Sequence, residues 1–315
     1  MHIIFFTGKG GVGKSTMAAA SAWQLSQHHR VLIVSLDPAH NLGDIFGVRL
    51  KKKQLCFKDN LWLQEIDVKK LARDYLGREI DVLSQTYKYL RALNLDQYFN
   101  VLKYSPGIEE YALLTGIEET IRQAKKFDYI IFDTPPTGLT LRFLALPQVT
   151  ITWIDRLQQI RRQILERRHT ISKIRGPLPE GKKNPEVRLK YDEKTDDIMN
   201  RLKELNHNYT DLNNTLQGEG CSVILVFNPD LLSLRESERL IEGLNDLKLP
   251  LRLLINNKVT EENLAMAGQV EKSITTMTGK VPLQRVSRSS DLYSGRKDLL
   301  YDIAEDLTYH LDKGR

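Results

Sequence analysis

The feature that most constrains this chain is a glycine-rich segment that directly follows a short apolar run. Residues 8–15 are GKGGVGKS, which fits the pattern G-x-x-x-x-G-K-[ST]. The apolar run at 3–6 is typical of a buried strand, and a helical pattern over 14–28 follows the segment. Glycines let backbone N–H groups turn toward a phosphate, and a helix N-terminus adds positive potential there. The sequence therefore predicts a phosphate-binding loop in an α/β domain.

Residue types within this loop suit triphosphate chemistry. Lys14 is expected to reach the β- and γ-phosphates, and the Ser15 hydroxyl is expected to bind Mg²⁺. The surrounding backbone N–H groups would cradle the phosphates. The predicted cofactors are ATP and Mg²⁺, and the expected nucleotide contacts from the motif are Gly8, Gly10, Gly11, Val12, Gly13, Lys14, Ser15 and Thr16.

Two carboxylates stand where apolar runs end. Asp37 follows the run at 31–36, and Asp133 follows the run at 129–132. Ligands bind at the carboxyl ends of parallel strands, so both side chains should face the nucleotide. Asp133 suits the Mg²⁺ shell, and Asp37 suits orientation of the attacking water.

Further apolar runs alternate with helical patterns along the chain. Thr115 with Glu118, and Ser233 with Glu236, have the spacing of a capping box, which predicts a helix start at each place. Strands that alternate with helices indicate a mostly parallel sheet covered by helices on both faces. The predicted strands are 3–6, 31–36, 129–132, 223–227 and 251–255.

Two stretches, 67–114 and 151–217, break this alternation. We interpret them as helical insertions that form one subdomain, which leaves 1–66, 115–150 and 218–315 as the core of a P-loop NTPase. In the second insertion, apolar residues at helical spacing form either the packed face of a bundle or a groove for a hydrophobic helix. These residues are Ile154, Leu157, Ile160, Ile164, Ile171 and Ile174.

The second insertion is also basic. Between 156 and 190 there are eleven Lys or Arg residues against three Asp or Glu. This charge fits a solvated helix face, contact with anionic lipid or contact with an acidic partner, and the sequence leaves all three open.

Composition argues against several other classes of protein. The two cysteines, Cys56 and Cys221, have no CxxC spacing, which argues against a disulfide framework or a thiolate metal site and fits a cytoplasmic protein. The N-terminus lacks the basic segment of a signal peptide, and no run of about 18 apolar residues occurs. A net charge of +6 over 315 residues gives no reason to expect a nucleic-acid partner.

Taken together, the motifs resemble those of a known group of ATPases. Lys9 is similar to the extra lysine in the deviant phosphate loop of MinD/ParA-type ATPases. Within that group, DPAHNLGDIFG at 37–47 and FDTPPTGLTLRFLALP at 132–147 resemble the two switch segments of the arsenite-pump and tail-anchored-protein-targeting ATPases. PGIEE at 106–110 and NPDLLSLRESERLI at 228–241 are further matches.

The resemblance implies a homodimer with nucleotide at the subunit interface. Lys9 would contact phosphate bound in the opposite subunit, and Asp37 would position the hydrolytic water. Asn41, Asp44 and the segment 133–138 would relay the nucleotide state to the helices.

The resemblance also implies a site for the base. Asn256 matches the asparagine that recognises adenine, and the stretch near Pro282 matches the loop on the adenine side.

The chain departs from the family pattern in three ways. Targeting ATPases of fungi and animals have a CxxC zinc clasp, but the matching stretch at 256–269 contains no cysteine. The metalloid site of the arsenite pump uses cysteines, whereas Cys56 and Cys221 fall outside the helical insertions. Pro135 stands where the family usually has alanine; because no charge is lost, we expect activity to survive.

These observations predict a Mg²⁺-dependent ATPase that acts as a nucleotide-switched homodimer. We expect it to capture or target a hydrophobic client, such as a membrane-protein segment, with a membrane or membrane protein as a further partner. Two alternatives stay open: the ATPase subunit of an arsenite-type anion efflux system, and a MinD/ParA-like positioning protein. The missing cysteines argue against the first, and the helical insertions argue against the second.

Overall fold

An eight-stranded sheet forms the centre of the structure, a computed structural model that describes residues 1–37, 41–50, 53–68, 70–74, 77, 107–175 and 191–288. The strands are β1 His2–Thr7, β2 Val31–Ser35, β3 Leu55–Lys58, β4 Leu61–Glu65, β5 Tyr129–Asp133, β6 Cys221–Phe227, β7 Leu251–Val259 and β8 Leu283–Ser287. Their order is β3-β4-β2-β5-β1-β6-β7-β8, and only the pairing of β3 with β4 is antiparallel.

The central strands are apolar because both of their faces are covered. All six residues of β1 are buried, and this strand pairs with β5 on one side and β6 on the other. A strand covered on both faces has no solvent side and needs no polar alternation. The prediction of a mostly parallel α/β sheet is confirmed.

Helices connect most of the strands. α1 is rich in alanine, which lets its backbone lie close to the sheet, and Met17, Ala18 and Ala22 on it are buried. The α-helices whose bounds lie within the described residues are α1 Lys14–Leu25, α2 Asn41–Phe46, α3 Ile108–Gln123, α4 Thr137–Arg175, α5 Asp197–Gln217, α6 Leu231–Asp246 and α7 Leu264–Thr278. Among the described residues, none of the helices combines the length and the apolar character that a membrane span requires.

Both helix starts predicted from capping boxes are wrong. Thr115 lies inside α3, which begins after Gly107, and its hydroxyl donates to the Tyr111 carbonyl at 2.9 Å. A threonine inside a helix makes this bond to the preceding turn, so its presence does not mark a helix start. α6 begins before Ser233, because the Asp230 side chain caps the helix by accepting from the Ser233 N–H at 2.7 Å.

The chain divides into two compact units, 1–144 with 216–315 and 145–215. The boundary falls within α4, close to the predicted edge of the second insertion at 151. The grouping of 67–114 with this insertion stays a prediction, because 78–106 lie outside the described residues.

In the smaller unit, polar contacts join α4 to the start of α5. The Arg161 guanidinium donates two hydrogen bonds to the Asp196 carboxylate, at 3.0 and 2.6 Å. These bonds hold the pKa of Asp196 below its ordinary value. Asp196 also accepts from the Met199 N–H at 2.8 Å, so one carboxylate both pairs with α4 and caps α5.

The apolar residues of α4 have two separate environments. Ile154 and Leu165 are buried, so they belong to the packed core of the smaller unit. Seven others, Val149 among them, are exposed by 37–80% of their surface, and we name the six from Trp153 onward the apolar stripe. Their positions follow one another at alternating spacings of four and three residues, which places them along one side of the helix. Arg167 occupies the one position of this series that is not apolar. The six residues of the stripe are Trp153, Leu157, Ile160, Ile164, Ile171 and Ile174.

Candidate nucleotide-binding site

The glycine-rich loop joins β1 to α1 at the carboxyl edge of the sheet. Gly8 has φ +148°, and a Cβ atom there would lie 2.0 Å from the Val226 carbonyl oxygen. Gly13 has φ +99°, and a Cβ atom there would lie 2.4 Å from the Asn257 side-chain nitrogen. Both positions therefore require glycine, as the motif predicts.

Lys14, the first residue of α1, lies buried beneath the loop. Its ammonium group donates to the Lys9 carbonyl at 3.3 Å. Burial lowers the pKa of Lys14, while the nearby carboxylates of Asp133, Asp37 and Glu236 act in the opposite direction. The lysine is thus held among three carboxyl groups, close to where the loop would bring phosphates.

Asp133, at the carboxyl end of β5, is a buried acid beside Lys14 and Ser15. Burial raises its pKa to about 7, although the Ser15 hydroxyl and Lys14 favour the charged form. Within the described residues, neither carboxylate oxygen has a hydrogen bond of good geometry. Both oxygens are therefore available as ligands.

A Mg²⁺ ion fits this arrangement. Mg²⁺ binds through oxygen ligands, commonly one or two from protein side chains together with substrate phosphates. Ser15 supplies a hydroxyl, and Asp133 supplies buried carboxylate oxygens that lack a strong partner. In the described part of the chain, no three His, Cys, Asp or Glu side chains cluster as a complete metal site, so phosphates and water would complete the coordination.

The structure brings Asp37 to the same place. It lies two residues past β2, whose last residue, Ser35, pairs with Asp133 on β5. The charge of Asp37 acts on both Lys14 and Asp133, which places the three side chains in one cluster. Asn41 begins α2 a few residues later, but its side chain lies outside the described part of the chain.

The segment that follows Asp133 is held by threonine hydroxyls. Thr134 donates to the Phe6 carbonyl at 2.8 Å, which fixes the segment to β1 next to the loop. Thr140 donates to the Pro135 carbonyl at 2.7 Å. Thr137 donates to the Glu236 carboxylate at 3.0 Å and so joins the start of α4 to α6.

On the base side, the structure separates two neighbouring asparagines. Asn256 donates to the Glu271 carboxylate at 2.7 Å, on the α7 side of β7, and is not directed to the loop. Asn257 instead donates to the Val12 carbonyl at 2.8 Å. Of the two, Asn257 is the residue that the structure brings to the phosphate loop.

Pro282 is also not brought to the loop. It precedes β8, and its carbonyl accepts from the Leu254 N–H at 2.9 Å. Because β7 and β8 are parallel, Pro282 lies at the amino end of β8, about 15–17 Å along the strand from the edge that carries the loop. Arg288 follows β8, and its N–H donates to the Val259 carbonyl at 3.0 Å. Residues 289–315 lie outside the described residues.

Comparison with known proteins agrees with this geometry. A model of the family described as anion-transporting ATPase matches residues 1–283. The chain belongs to this ATPase family. It is 29% identical over 265 residues to putative arsenical pump-driving ATPase 2 of Aquifex aeolicus, covering 84% of this chain and 82% of that protein. It is 32% identical over 264 residues to ATPase get3 of Pyrenophora tritici-repentis, covering 81% of this chain and 73% of that protein.

A third relative, ATPase GET3 of Ajellomyces dermatitidis, is 32% identical over 262 residues, covering 81% of this chain and 72% of that protein. The family match spans the loop, both carboxylates and the switch segments. The chain is therefore an ATPase, and its resemblance to arsenite-pump and targeting ATPases is confirmed.

Three side chains at the site of this ATPase were not assigned a role in nucleotide binding from the sequence. Asn257 and Lys258 contact the loop from β7, and Thr137 contacts Glu236 beside Lys14. Thr137 and Glu236 lie in two segments that resemble the family, 132–147 and 228–241, so the resemblance could have indicated this contact. The Lys258 contact depends on a local backbone irregularity for which the sequence gives no signal.

Proposed function

We propose that this ATPase works as a Mg²⁺-dependent, nucleotide-switched homodimer that captures a hydrophobic client such as a membrane-protein segment. The observation that carries the proposal is the apolar stripe, since Trp153 and Leu157 expose 65% and 46% of their surface. An exposed apolar row edged by charge is typical of a protein–protein or membrane interaction surface. The resemblance to tail-anchored-protein-targeting ATPases points to the same kind of client.

In the proposed reaction, the chain binds the triphosphate and orients a water. Lys14 and the N–H groups of the loop bind phosphate oxygens. Ser15 and Asp133 would hold Mg²⁺, which would neutralise the negative charge that develops on the phosphates. Asp37 accepts a hydrogen bond from the attacking water and orients it toward the γ-phosphate. Its place beside Lys14 and Asp133 supports this role.

The proposed dimer is supported by the position of Lys9. Its backbone carbonyl is occupied by Lys14, but its side chain is half-buried at the outer turn of the loop, beside the exposed Gly10 and Gly11. In the proposed dimer this side chain reaches phosphate bound by the other subunit. For recognition of adenine we keep Asn256, whose buried side-chain oxygen has no hydrogen-bond partner among the described residues.

The switch has a direct covalent route to the stripe. Asp133 lies beside Lys14, the segment after it carries Thr134 and Thr137, and Thr137 is the first residue of α4. The same helix continues to Arg175 and carries the stripe. A change at Asp133 when nucleotide binds is therefore transmitted into the helix that would hold the client. The location we propose, the cytoplasm, rests on cysteine usage and on the resemblance.

The test uses the full chain and a synthetic transmembrane helix, Leu-rich and flanked by lysines, as the client. We expect the Asp37→Asn variant with ATP and Mg²⁺ to keep this helix from aggregating better than the ADP-bound protein, because a ligand shifts a conformation only through differential affinity. Leu157→Asp with Ile160→Asp should lose the protection. Gln159→Asp, which is exposed on another side of α4, is the matched control. Equal protection by the stripe variant and the control would contradict client binding by the stripe.

A second function is favoured by the family description, anion-transporting ATPase, and by the relative named putative arsenical pump-driving ATPase 2. Against it, Cys56 is exposed on β3, whereas Cys221 is buried on β6 and burial raises its pKa to about 12. Two such thiols do not form a thiolate site. Stimulation of ATP hydrolysis by arsenite would favour this second function, and its absence would leave the client-capture proposal.

A further inference from the structure

Two consecutive side chains at the end of β7 hold the outer side of the phosphate loop. The Asn257 side-chain nitrogen donates to the Val12 carbonyl at 2.8 Å. The Lys258 ammonium group donates to the Gly11 carbonyl at 2.7 Å. Consecutive residues of a regular strand point to opposite faces, so a special backbone is needed for both to reach one loop.

The backbone of β7 is irregular at Asn257 and Lys258, which allows both side chains to reach the loop. The pairing of β7 with β8 shifts between Asn256 and Val259, and Lys258 has φ +61°, a left-handed conformation that is unusual for a residue with a side chain. The side chains of Asn257 and Asn263 stabilise this backbone conformation through hydrogen bonds. Asn257 accepts from the Lys258 N–H at 2.9 Å, and Asn263 donates to the Lys258 carbonyl at 3.0 Å.

Holding these carbonyls determines where the loop N–H groups point. In a trans peptide the carbonyl and the N–H of the next residue lie on opposite sides of the bond. The carbonyls of Gly11 and Val12 belong to the same peptides as the N–H groups of Val12 and Gly13. Drawing the Val12 carbonyl outward therefore turns the Gly13 N–H inward, toward the position of a bound phosphate, whereas the Val12 N–H is directed to the Lys9 carbonyl at 3.5 Å and holds the turn of the loop.

We propose that Lys258 is a positioning residue that, together with Asn257, holds the loop in its phosphate-binding conformation before nucleotide arrives. The contact acts through the loop and not on the reacting atoms. It should therefore strengthen binding of phosphate groups in the ground state and in the transition state alike. Its loss should raise KM for ATP with little change in kcat.

This inference rests on the ATPase activity of the family and not on the homodimer or the client. The variants are Lys258→Met, which keeps the length of the side chain but removes the donor, and Lys258→Arg, which keeps a cationic donor. Lys258→Gly is the backbone control, because glycine adopts φ +61° without strain and also removes the donor. A fold held together by the lysine side chain would unfold in this variant, whereas a positioning role leaves it folded.

The measurements are KM and kcat for ATP, and competitive inhibition by tripolyphosphate, a probe that has phosphates but no base. We expect Lys258→Met and Lys258→Gly to raise KM for ATP and the inhibition constant of tripolyphosphate by the same factor, about tenfold for a lost charge-assisted bond. Lys258→Arg should restore most of the affinity.

Three results would overturn the proposal. Wild-type KM in both donor-free variants would show that the contact does not position the loop. A higher KM for ATP with unchanged inhibition by tripolyphosphate would assign Lys258 to the base or ribose instead. A KM that rises only in step with a loss of folded protein would assign the lysine to stability alone.

Discussion

The hydroxyl of Thr137 donates a hydrogen bond of 3.0 Å to Oε2 of Glu236, and the charge of the same glutamate acts on Lys14. One carboxylate is therefore shared between the phosphate site and the first turn of α4. The bond ties the segment 133–138 to α6, so we expect any movement of that segment toward bound phosphate to break it. The pair is thus a restraint on the switch segment.

We predict that Thr137→Val tightens ATP binding about fivefold, because it removes a bond worth about 1 kcal/mol that opposes the bound state. Titration with a fluorescent ATP analogue measures the change. Thr152→Val is the control, since this threonine lies on the same helix and its hydroxyl donates to the Gln148 carbonyl of that helix at 2.9 Å. Weaker ATP binding in Thr137→Val would show that the bond is kept when nucleotide binds.

Removing the charge of Asp37 should separate binding from hydrolysis. We expect Asp37→Asn to lower the hydrolysis rate about 10²–10⁴-fold while ATP still binds, because orientation of the water is lost and the phosphate contacts remain. Lys14→Ala should instead weaken binding of the triphosphate itself. Single-turnover kinetics with a parallel binding assay distinguish the two. Hydrolysis by Asp37→Asn within a fewfold of wild type would remove Asp37 from the catalytic role.

Asp133 gives the nucleotide-free protein a predictable pH dependence. Its pKa is about 7 in the folded chain against an ordinary 3.8, so the folded state binds more protons between these values than the unfolded state does. This carboxyl therefore lowers the free energy of unfolding as the pH rises from about 4 to about 7, by on the order of 4 kcal/mol at most. Asp133→Asn removes the effect.

Urea unfolding at pH 5, 6 and 8, without nucleotide or Mg²⁺, tests this dependence. The stability gained by Asp133→Asn over the wild type should grow with pH across the window and level off above about pH 7. Asp246→Asn, an exposed carboxylate on α6, should show no such trend. A constant difference between Asp133→Asn and the wild type at all three pH values would show that Asp133 is ionised throughout.

Lys9 provides a test of the dimer. Lys9→Ala keeps the backbone carbonyl that Lys14 contacts, so each subunit should fold normally. We expect its ATP hydrolysis to be low at every protein concentration, whereas wild-type specific activity should rise with concentration as subunits pair. Lys272→Ala, on the exposed side of α7, is the control. Normal hydrolysis by Lys9→Ala would contradict a lysine that acts across the interface.

The sequence predicted those parts of the fold that depend on continuous burial. The strands at 3–6 and 223–227 lie within β1 and β6, because both faces of these strands are covered. By contrast, β3, β4 and β8 were not predicted. The residues of β3 are exposed apart from Phe57, β8 buries only Val286, and β4 buries only its alternate residues Leu61 and Leu63, so none of the three has a continuous apolar run that marks a buried strand.

The site, like the fold, was predicted where residues form a continuous motif or end a buried strand, and was missed elsewhere. The loop and both acids were found because their residues are neighbours in sequence or end a buried strand. The contact of Asn257 with the loop was missed because a sequence match does not show which face a side chain takes next to an irregular strand, and Asn256 as the adenine residue stays a prediction. The apolar stripe was grouped with Ile154 because helical spacing alone does not show which side of a helix is covered.

That last distinction gives the sharpest test of the stripe, because Ile154 and Leu157 lie one turn apart on α4. Ile154 is 4% exposed and Leu157 is 46% exposed. We predict that Ile154→Asp costs several kcal/mol, roughly 3–5, because it places a charge in packed apolar surroundings. Leu157→Asp should change the free energy of unfolding by less than about 1 kcal/mol. Urea unfolding followed by circular dichroism measures both.

If Leu157→Asp destabilises the protein as much as Ile154→Asp, the stripe is part of the packed core. If it leaves stability unchanged, the stripe is a surface held open in the free protein, as client capture requires.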